Sequence, residues 1–106
     1  MEFDWDEKNI AHLARHSITP QEAVEVFRRD PIYRASALVD GEERYRAYGM
    51  TRAARLLVIA FTIRTEKIRP ITGWDFTKQE RKRYAKEIYE RQFPQDLEEG
   101  EGDAEV

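Results

Sequence analysis

The chain has 106 residues, of which 41% are hydrophobic and 37% are charged, and it contains no cysteine. That length fits one small domain, and the lack of cysteine excludes disulfide scaffolds, cysteine-ligated zinc sites and cysteine nucleophiles. The longest apolar run, Leu56 to Phe61, has six residues, far fewer than the roughly 20 that cross a bilayer. Met1 to Asp4 lack the basic and apolar parts of a signal peptide. We therefore expect a cytoplasmic protein with no membrane partner.

The net charge of −3 hides an uneven distribution. Residues 96–106 carry six acids and no base, so residues 1–95 carry 18 bases against 15 acids. We expect residues 1–95 to form a single domain and residues 96–106 to be a disordered acidic tail. The tail either keeps the chain soluble or lies over a basic surface as an electrostatic mimic of nucleic acid.

Local signals predict two short helices at the N-terminus. Asp4 and Glu7 have the spacing of a capping box for a first helix that runs to about Arg15. The second helix starts at Thr19-Pro20-Gln21-Glu22, where a capping box surrounds an N-terminal proline, and ends at Asp30-Pro31. The residues predicted to face the core are Ile10, Leu13, Ala14, Ala23, Val26 and Phe27.

The middle of the chain follows the two-residue period of strands. Four strands are predicted, over Tyr33–Val39, Glu43–Met50, Leu56–Phe61 and Ile68–Thr72. Asp40-Gly41 is a hairpin turn signal between the first two. The apolar third strand is expected to be buried on both faces, and Pro70 predicts an edge or a bulge in the fourth.

A last helix is predicted from the capping box Thr77–Glu80, with Tyr84, Ala85, Ile88 and Tyr89 facing inward. The elements together predict an α+β fold: two N-terminal helices, a four-stranded antiparallel meander sheet and a C-terminal helix. Whether a further short strand forms around Phe3 stays open.

Positive charge concentrates on the predicted strands. From Arg44 to Arg69 there are seven bases and one acid, and 13 of the chain's 18 bases are arginine, whose planar fork suits phosphate. Arg44 and Arg46 share a strand face and Arg69 lies on a nearby strand, so the three can converge on one phosphate. The alternative is an ordinary polar face of a sheet.

The two histidines have the only side chains whose ordinary pKa lies near neutrality. His12 and His16 are four residues apart, which places them on one face of the predicted first helix. His16 lies near the helix C-terminus, where the dipole favours the imidazolium form that a general acid needs; the alternative is a histidine that caps the last carbonyls. A zinc site is disfavoured because both cysteine and the HExxH motif are absent, so we predict no metal and no cofactor.

Seven segments of the sequence, in their order and spacing, resemble the BrnT family. They are Trp5–Lys8, Arg15-His16, Thr19–Ala23, Gly41–Tyr45, Leu57–Phe61, Ile68–Thr72 and Glu80–Tyr84. The resemblance runs from Phe3 to about Tyr84. It implies a type II toxin: a small ribonuclease with a RelE-like fold that cleaves RNA without a metal and arrests growth by blocking translation.

The resemblance also implies a partner. This is a BrnA-like antitoxin with a ribbon-helix-helix domain, through which alone the toxin reaches operator DNA. Among the candidate site residues, Arg69, Arg81 and Tyr84 match family positions, whereas Arg46 is inferred from strand alternation. The catalytic candidates are His16, Arg69, Arg44 and His12, and the RNA-binding candidates are Arg46, Trp74, Arg81 and Tyr84.

Two positions depart from the family pattern. Thr72-Gly73-Trp74 aligns with a Ser-Ala-Arg segment of many members, so Trp74 replaces an arginine and an acid, Asp75, follows it. Ser17 stands where a glycine usually follows the histidine. Trp74 either stacks an RNA base or covers the edge of the core. The alternative functions are a catalytically decayed RNA- or protein-binding module and a regulatory module with no nucleic acid ligand.

Overall fold

The computed structural model describes residues 1–94 of the chain, and the predicted acidic tail lies outside them. The elements are α1 (Glu7–Ala14), α2 (Pro20–Arg28), β1 (Ile32–Val39), β2 (Glu42–Met50), β3 (Leu56–Arg64), β4 (Lys67–Asp75), α3 (Lys78–Glu80), a π-helical turn (Arg81–Ala85) and α4 (Lys86–Gln92). The last three are continuous and form the C-terminal helix. The predicted α+β fold is confirmed. No helix within residues 1–94 is long and apolar enough to span a membrane.

The four strands form one antiparallel sheet in the order β1-β2-β3-β4. Asp40 and Gly41 have φ values of +50° and +77° and make the predicted two-residue hairpin turn. Beyond the β4 edge, Phe3 forms a single parallel bridge with Ile68. The segment around Phe3 therefore forms a single β-bridge and not a fifth strand.

Pro70 occupies a position that a proline tolerates. It lies in β4, an edge strand of the sheet, opposite Phe61. The register of β3 with β4 shifts between Ala60 and Phe61, which is the signature of a bulge. Both features that the proline predicted, an edge and a bulge, are confirmed because a residue without an N–H cannot contribute to a regular central ladder.

Both faces of the sheet are covered by helices. Successive residues of a strand point to opposite sides, so β2 and β3 supply apolar side chains to two cores. The core under α1 and α2 contains Leu13, Ile18, Ala23, Val26, Phe27, Ala47, Leu57, Ile59, Phe61 and Ile68. The core under the C-terminal helix contains Ile32, Tyr48, Met50, Val58, Phe76, Tyr84 and Ile88. The prediction that the third strand is buried on both faces is confirmed.

Helix α1 begins at a different cap from the predicted one. Asp6 is the N-cap: its carboxylate accepts a bond of 3.0 Å from the Asn9 N–H, and the Asn9 side chain accepts one of 2.9 Å from the Asp6 N–H. Asp4 cannot start the helix because its own N–H donates to the Ile68 carbonyl at 2.8 Å, continuing the pairing with β4. The predicted box of Asp4 and Glu7 is therefore wrong.

The later start changes which residues of α1 face the core. Leu13 is fully buried as predicted, but Ile10 and Ala14 are exposed, so their predicted inward orientation is wrong. Asn9 is buried instead, and its amide donates to the Pro70 carbonyl at 3.0 Å. A polar anchor thus fixes α1 beside β4, where an apolar stripe was expected.

The π-helical turn alters the buried face of the C-terminal helix. Tyr84 and Ile88 are buried as predicted, whereas Tyr89 is 49% exposed. A π turn holds an extra residue compared with an α turn, so the side chains around it no longer follow the 3.6-residue period. The inward orientation predicted for Tyr89 is wrong for this reason.

Candidate functional site

Basic side chains from α1 and from three strands line a pocket of about 260 Å³. The lining residues are Lys8, Asn9, His12, Arg44, Arg64, Arg69, Pro70 and Ile71. None of them is acidic, so the pocket suits an anionic ligand such as a phosphate group. We call it the histidine pocket.

The anchor that holds α1 against β4 also positions the imidazole. Asn9 bonds to the Pro70 carbonyl, and His12 lies three residues further along the same side of the helix. Pro70 is itself held at the bulge in β4. The side chain of His12 therefore reaches the space beside β4, next to the arginines of the sheet.

Arg69 is the buried base of the pocket, with 8% exposure. Its Nη2 lies 2.8 Å from Asp6 Oδ2 and its Nη1 lies 3.5 Å from Asp4 Oδ2. The Asn9 N–H and, after it, the Arg69 guanidinium lower the pKa of Asp6 below its usual range. Arg69 thus joins β4 to the N-terminal segment, and both carboxylates offset its charge.

Arg64 and Arg44 share one carboxylate. Arg64 donates to both oxygens of Glu42, at 2.7 and 3.1 Å, which lowers the pKa of Glu42 and raises that of Arg64. The Nε of Arg44 lies 3.4 Å from Glu42, but it is buried and has no hydrogen-bond partner within residues 1–94. The Arg44 side chain is nevertheless 27% exposed, so the terminal amino groups of its guanidinium keep donor capacity for a bound phosphate.

A second depression of about 520 Å³ lies between β2 and the C-terminal helix. It is lined by Arg46, Tyr48, Thr77, Gln79, Glu80, Lys82, Arg83 and Tyr84, and we call it the aromatic groove. Arg44 and Arg46 are alternate residues of β2, so they point to the same face of the sheet, as predicted. Arg44 belongs to the histidine pocket and Arg46 to the groove, and the two sites are neighbours along β2. The predicted convergence of Arg44, Arg46 and Arg69 on one phosphate is therefore wrong for Arg46, because residues two apart on a strand lie about 6.6 Å from each other.

Trp74 is half-buried against the core under the C-terminal helix, beside the groove. The guanidinium carbon of Arg46 lies 5.3 Å from the centre of its indole. The indole Nε1–H donates to Glu80 at 3.2 Å, and the same carboxylate accepts the Thr77 N–H at 2.8 Å in the predicted capping box. The ring therefore covers the edge of the core, one of the two predicted roles, and it also supports an arginine; its stacking on an RNA base stays a prediction.

The predicted site residues fall into three groups. His12, Arg44 and Arg69 line the histidine pocket. Arg46 and Tyr84 line the aromatic groove, with Trp74 beside it. His16 and Arg81 line neither the pocket nor the groove. The sequence did not single out Lys8 and Arg64, although Lys8 stands one helical turn before His12 and could have been found from that spacing.

The two histidines do not share a helical face, contrary to the prediction. Helix α1 ends at Ala14, and His16 follows in an exposed turn that reaches φ +56° at Ser17, the position at which the resemblance implies a glycine. The His16 carbonyl accepts a bond of 3.1 Å from Arg55. His16 therefore lies with Arg55, and His12 lies with the arginines of the pocket.

Arg55 forms a separate charged cluster with Asp75 and Glu22, which we call the Arg55 cluster. Arg55 binds both oxygens of Asp75, at 2.9 and 3.0 Å, and reaches Glu22 at 3.1 Å. The hydrogen bonds that Arg55 donates to Asp75 lower the pKa of Asp75 and raise that of Arg55. Asp75, the acid that follows Trp74, is therefore an internal partner of the fold.

The pocket combines one imidazole with several cations. Arginine and lysine are protonated at neutral pH and cannot accept a proton, so His12 is the proton acceptor among the side chains that line the pocket. Guanidinium groups bind phosphate oxygens and stabilise extra charge on them. Phosphate binding combined with proton transfer is the chemistry that this arrangement allows.

A comparison with protein families identifies the chain. The model of a family described as the ribonuclease toxin, BrnT, of type II toxin-antitoxin systems matches residues 5–80. That range includes all the residues that line the histidine pocket. No curated protein matches the chain. Since the family match covers well over half of the 106 residues, the chain belongs to the BrnT family of ribonuclease toxins of type II toxin-antitoxin systems.

Proposed function

We propose that this chain is an endoribonuclease that cleaves RNA in the histidine pocket without a metal ion. The observation that carries the proposal is the meeting of His12 with Arg44, Arg64 and Arg69 in one pocket. An imidazole beside phosphate-binding cations is the minimum that a metal-independent phosphoryl transfer needs. RNA is the substrate class because its 2′-hydroxyl supplies the nucleophile.

In the proposed reaction, His12 takes the proton of the 2′-hydroxyl, and the resulting oxygen attacks the adjacent phosphorus. The bond from phosphorus to the 5′-oxygen breaks, which leaves a 2′,3′-cyclic phosphate on one product. The departing 5′-oxygen takes a proton from the Lys8 ammonium or from water. Arg44 binds the developing charge through the terminal amino groups of its guanidinium, while Glu42 and Asp6 hold Arg64 and Arg69 in position.

This proposal gives proton transfer to His12 rather than to His16, which the helix-terminus argument favoured. His12 lines the pocket that holds the arginines. His16 lies in the turn after α1, beside the Arg55 cluster. A base must come within hydrogen-bonding reach of the proton that it removes, and a phosphate bound in the pocket lies next to His12.

We further propose that the toxin acts in the cytoplasm and arrests growth by cutting the RNA that translation needs. Its antitoxin is a BrnA-like ribbon-helix-helix protein, and operator DNA is reached only through that antitoxin. The order of two helices, four antiparallel strands and a helix supports the proposed RelE-like relationship. Induced expression of the chain in bacteria should stop growth, and coexpression of the antitoxin should restore it.

The test of the reaction uses the purified chain and a single-stranded RNA in the presence of EDTA. We expect cleavage to persist and one product to end in a 2′,3′-cyclic phosphate. Substituting 2′-deoxyribose at the cleaved position should block cleavage there, because the nucleophile is missing. Dependence on a divalent cation, or cleavage of the deoxy position, would contradict the proposed mechanism.

A second candidate function is an RNA-binding module whose nuclease activity has decayed. The observation in its favour is that Arg64 and Arg69 already pair with Glu42, Asp4 and Asp6, and that Trp74 replaces an arginine of the family pattern. RNA binding with no cleavage at any pH, and expression without growth arrest, would select this function over the nuclease.

A further inference from the structure

The aromatic groove has a charge of its own. Its lining includes three cations, Arg46, Lys82 and Arg83, and one acid, Glu80. The Glu80 carboxylate already accepts bonds from the Trp74 indole and the Thr77 N–H. The groove therefore presents uncompensated positive charge, separate from the charge of the histidine pocket.

The groove also holds planar cations against aromatic rings. Arg46 lies over Trp74, and Arg83 and Arg34 lie 5.4 and 5.7 Å from the centre of the Tyr84 ring. The Tyr84 ring packs against Tyr48 with 4.2 Å between their centres, which fixes its position. Guanidinium planes and aromatic rings are the surfaces on which unpaired nucleobases stack.

The π-helical turn places the cations of the C-terminal helix at this groove. Lys82, Arg83 and Tyr84 are all within the turn, Arg81–Ala85, and all three line the groove. A regular α-helix would not bring three consecutive residues to one side as readily, because neighbours along it are about 100° apart. Such turns are rare in proteins and occur frequently at functional sites.

We propose that the aromatic groove binds the nucleotide next to the cleavage site in single-stranded RNA. A base stacks on Arg46, which Trp74 supports from behind, and Lys82 and Arg83 bind the neighbouring phosphates. Arg44 of the pocket and Arg46 of the groove are two residues apart on β2, about 6.6 Å along the strand, a spacing suited to consecutive nucleotides. The inference rests on the proposed function, since it takes the RNA of that reaction as the ligand.

The test measures binding of a fluorescent 2′-O-methyl oligouridine, which cannot be cleaved, by anisotropy. Trp74→Ala should weaken binding about ten-fold, because it removes the ring that holds Arg46 in place under the stacked base. The double variant Lys82→Ala/Arg83→Ala should lower the slope of log Kd against log salt by about 1.4, as expected for two lost phosphate contacts on a single strand. Lys86→Ala is the matched control, because this lysine is on the same helix with its side chain 91% exposed and does not line the groove.

Trp74 also packs on the core, so Trp74→Ala needs a check of its fold by circular dichroism. Trp74→Phe keeps a ring and should bind within about three-fold of wild type, while the double lysine–arginine variant changes only exposed side chains. Unchanged affinity and salt slope in Lys82→Ala/Arg83→Ala would overturn the proposal. Equal binding of poly-glutamate, independent of Trp74, would show an acidic-peptide site and would also overturn it.

The outcomes separate this inference from the proposed reaction. If wild type does not cleave RNA but its affinity depends on Trp74 and Arg83, the subsite stands and the nuclease is rejected. If wild type cleaves RNA and the groove variants bind and cleave normally, the nuclease stands and the subsite is rejected. Duplex RNA should bind more weakly than the single strand, since its bases are not free to stack.

Discussion

The histidine pocket and the Arg55 cluster both contain arginines that pair with carboxylates. They differ in whether the arginine still has hydrogen-bond donors that a ligand can use. Arg55 is bound by Asp75, by Glu22 and by the carbonyls of Ser17 and His16. Arg44 has one ion pair, of 3.4 Å from its buried Nε to Glu42, and that Nε makes no hydrogen bond within residues 1–94. The fold therefore fills the hydrogen-bonding positions of Arg55, whereas Arg44 still has donor groups that can bind a ligand.

The comparison teaches that a count of basic residues does not locate a binding site. Arg55 belongs to the same basic stretch, Arg44 to Arg69, as the pocket arginines, but it ties the link between α1 and α2 to the end of β4. What distinguishes a binding arginine is an unfilled hydrogen-bonding position beside a cavity. Changes at the two sites should therefore have opposite consequences.

The largest expected effect is on cleavage when His12 is changed. His12→Ala should lower the cleavage rate by about 10²–10⁴-fold, the usual loss for a removed general base. His16→Ala is the matched control and should stay within about three-fold of wild type, because His16 lies with Arg55 outside the pocket. The rates are measured on one RNA substrate under single-turnover conditions. A larger loss of cleavage rate in His16→Ala than in His12→Ala would show that His16 carries out the proton transfer.

The next effect concerns the free donor of the pocket. Arg44→Ala should lower the cleavage rate by about 10²-fold, since a donor to the transition state is lost, and should leave the thermal midpoint nearly unchanged. Arg44→Lys should recover only part of the rate, because lysine keeps the charge without the fork. A large fall in the midpoint with the rate intact would show that Arg44 is structural.

Arg55→Ala should show the reverse pattern. We expect it to lower the free energy of unfolding by about 2 kcal/mol, because several charge-assisted hydrogen bonds are lost at a partly exposed site. For a domain of this size that corresponds to a midpoint roughly 8–16 °C lower. Cleavage per folded molecule, measured well below the midpoint, should be retained. A normal midpoint combined with lost cleavage would move Arg55 into the active site.

The smallest effect is a dependence of stability on pH that arises at Asp75. Hydrogen bonds from Arg55 lower the pKa of this carboxyl in the folded state from 3.8. The stabilisation is thus fully present at neutral pH and is lost as the pH falls below 3.8 through the lower folded value. The effect is modest because the Asp75 side chain is 57% exposed.

The measurement compares the thermal midpoints of wild type and Asp75→Asn across this acid range. The difference between them should be constant from about pH 7 to about pH 5 and shrink at lower pH. Asp40→Asn is the control, because it makes the same chemical change at a hairpin turn that asparagine suits and leaves the bonds between Arg55 and Asp75 in place. A wild-type advantage that grows on acidification would contradict the role of Asp75.

Much of the fold follows from the sequence because its signals are local. The capping boxes at Thr19 and Thr77 are both present, and the Asp40-Gly41 turn joins the first two strands. A cap or a two-residue turn depends on atoms within about four residues, which the sequence specifies directly. The error at α1 arose where a distant strand intervened, because the pairing of Asp4 with β4 left Asp6 to cap the helix.

The sequence predicted the types of residue in the candidate site, arginine and histidine, but it predicted only some of the individual residues that line the pocket. Arg44, Arg69 and His12 were expected and share the pocket, since strand alternation and helix spacing are periodic. His16 does lie at the end of α1, directly after the C-cap Arg15, but this end of the helix lies beside Arg55 and not beside the arginines of the pocket. Arg64 enters the pocket through the β3–β4 hairpin, for which the sequence had no specific signal.

The sequence by itself determined the helices, the strands, the hairpin turn and the abundance of arginine. The tertiary structure decided which arginines remain available to a ligand. Arg69 pairs with Asp6 across 63 positions of the chain, and Asn9 anchors α1 to Pro70 across 61. Such contacts depend on how the helices and strands pack, because packing decides which carboxylate lies next to which cation. Periodicity carries no information about that, so the difference between Arg44 and Arg55 exists only in the folded chain.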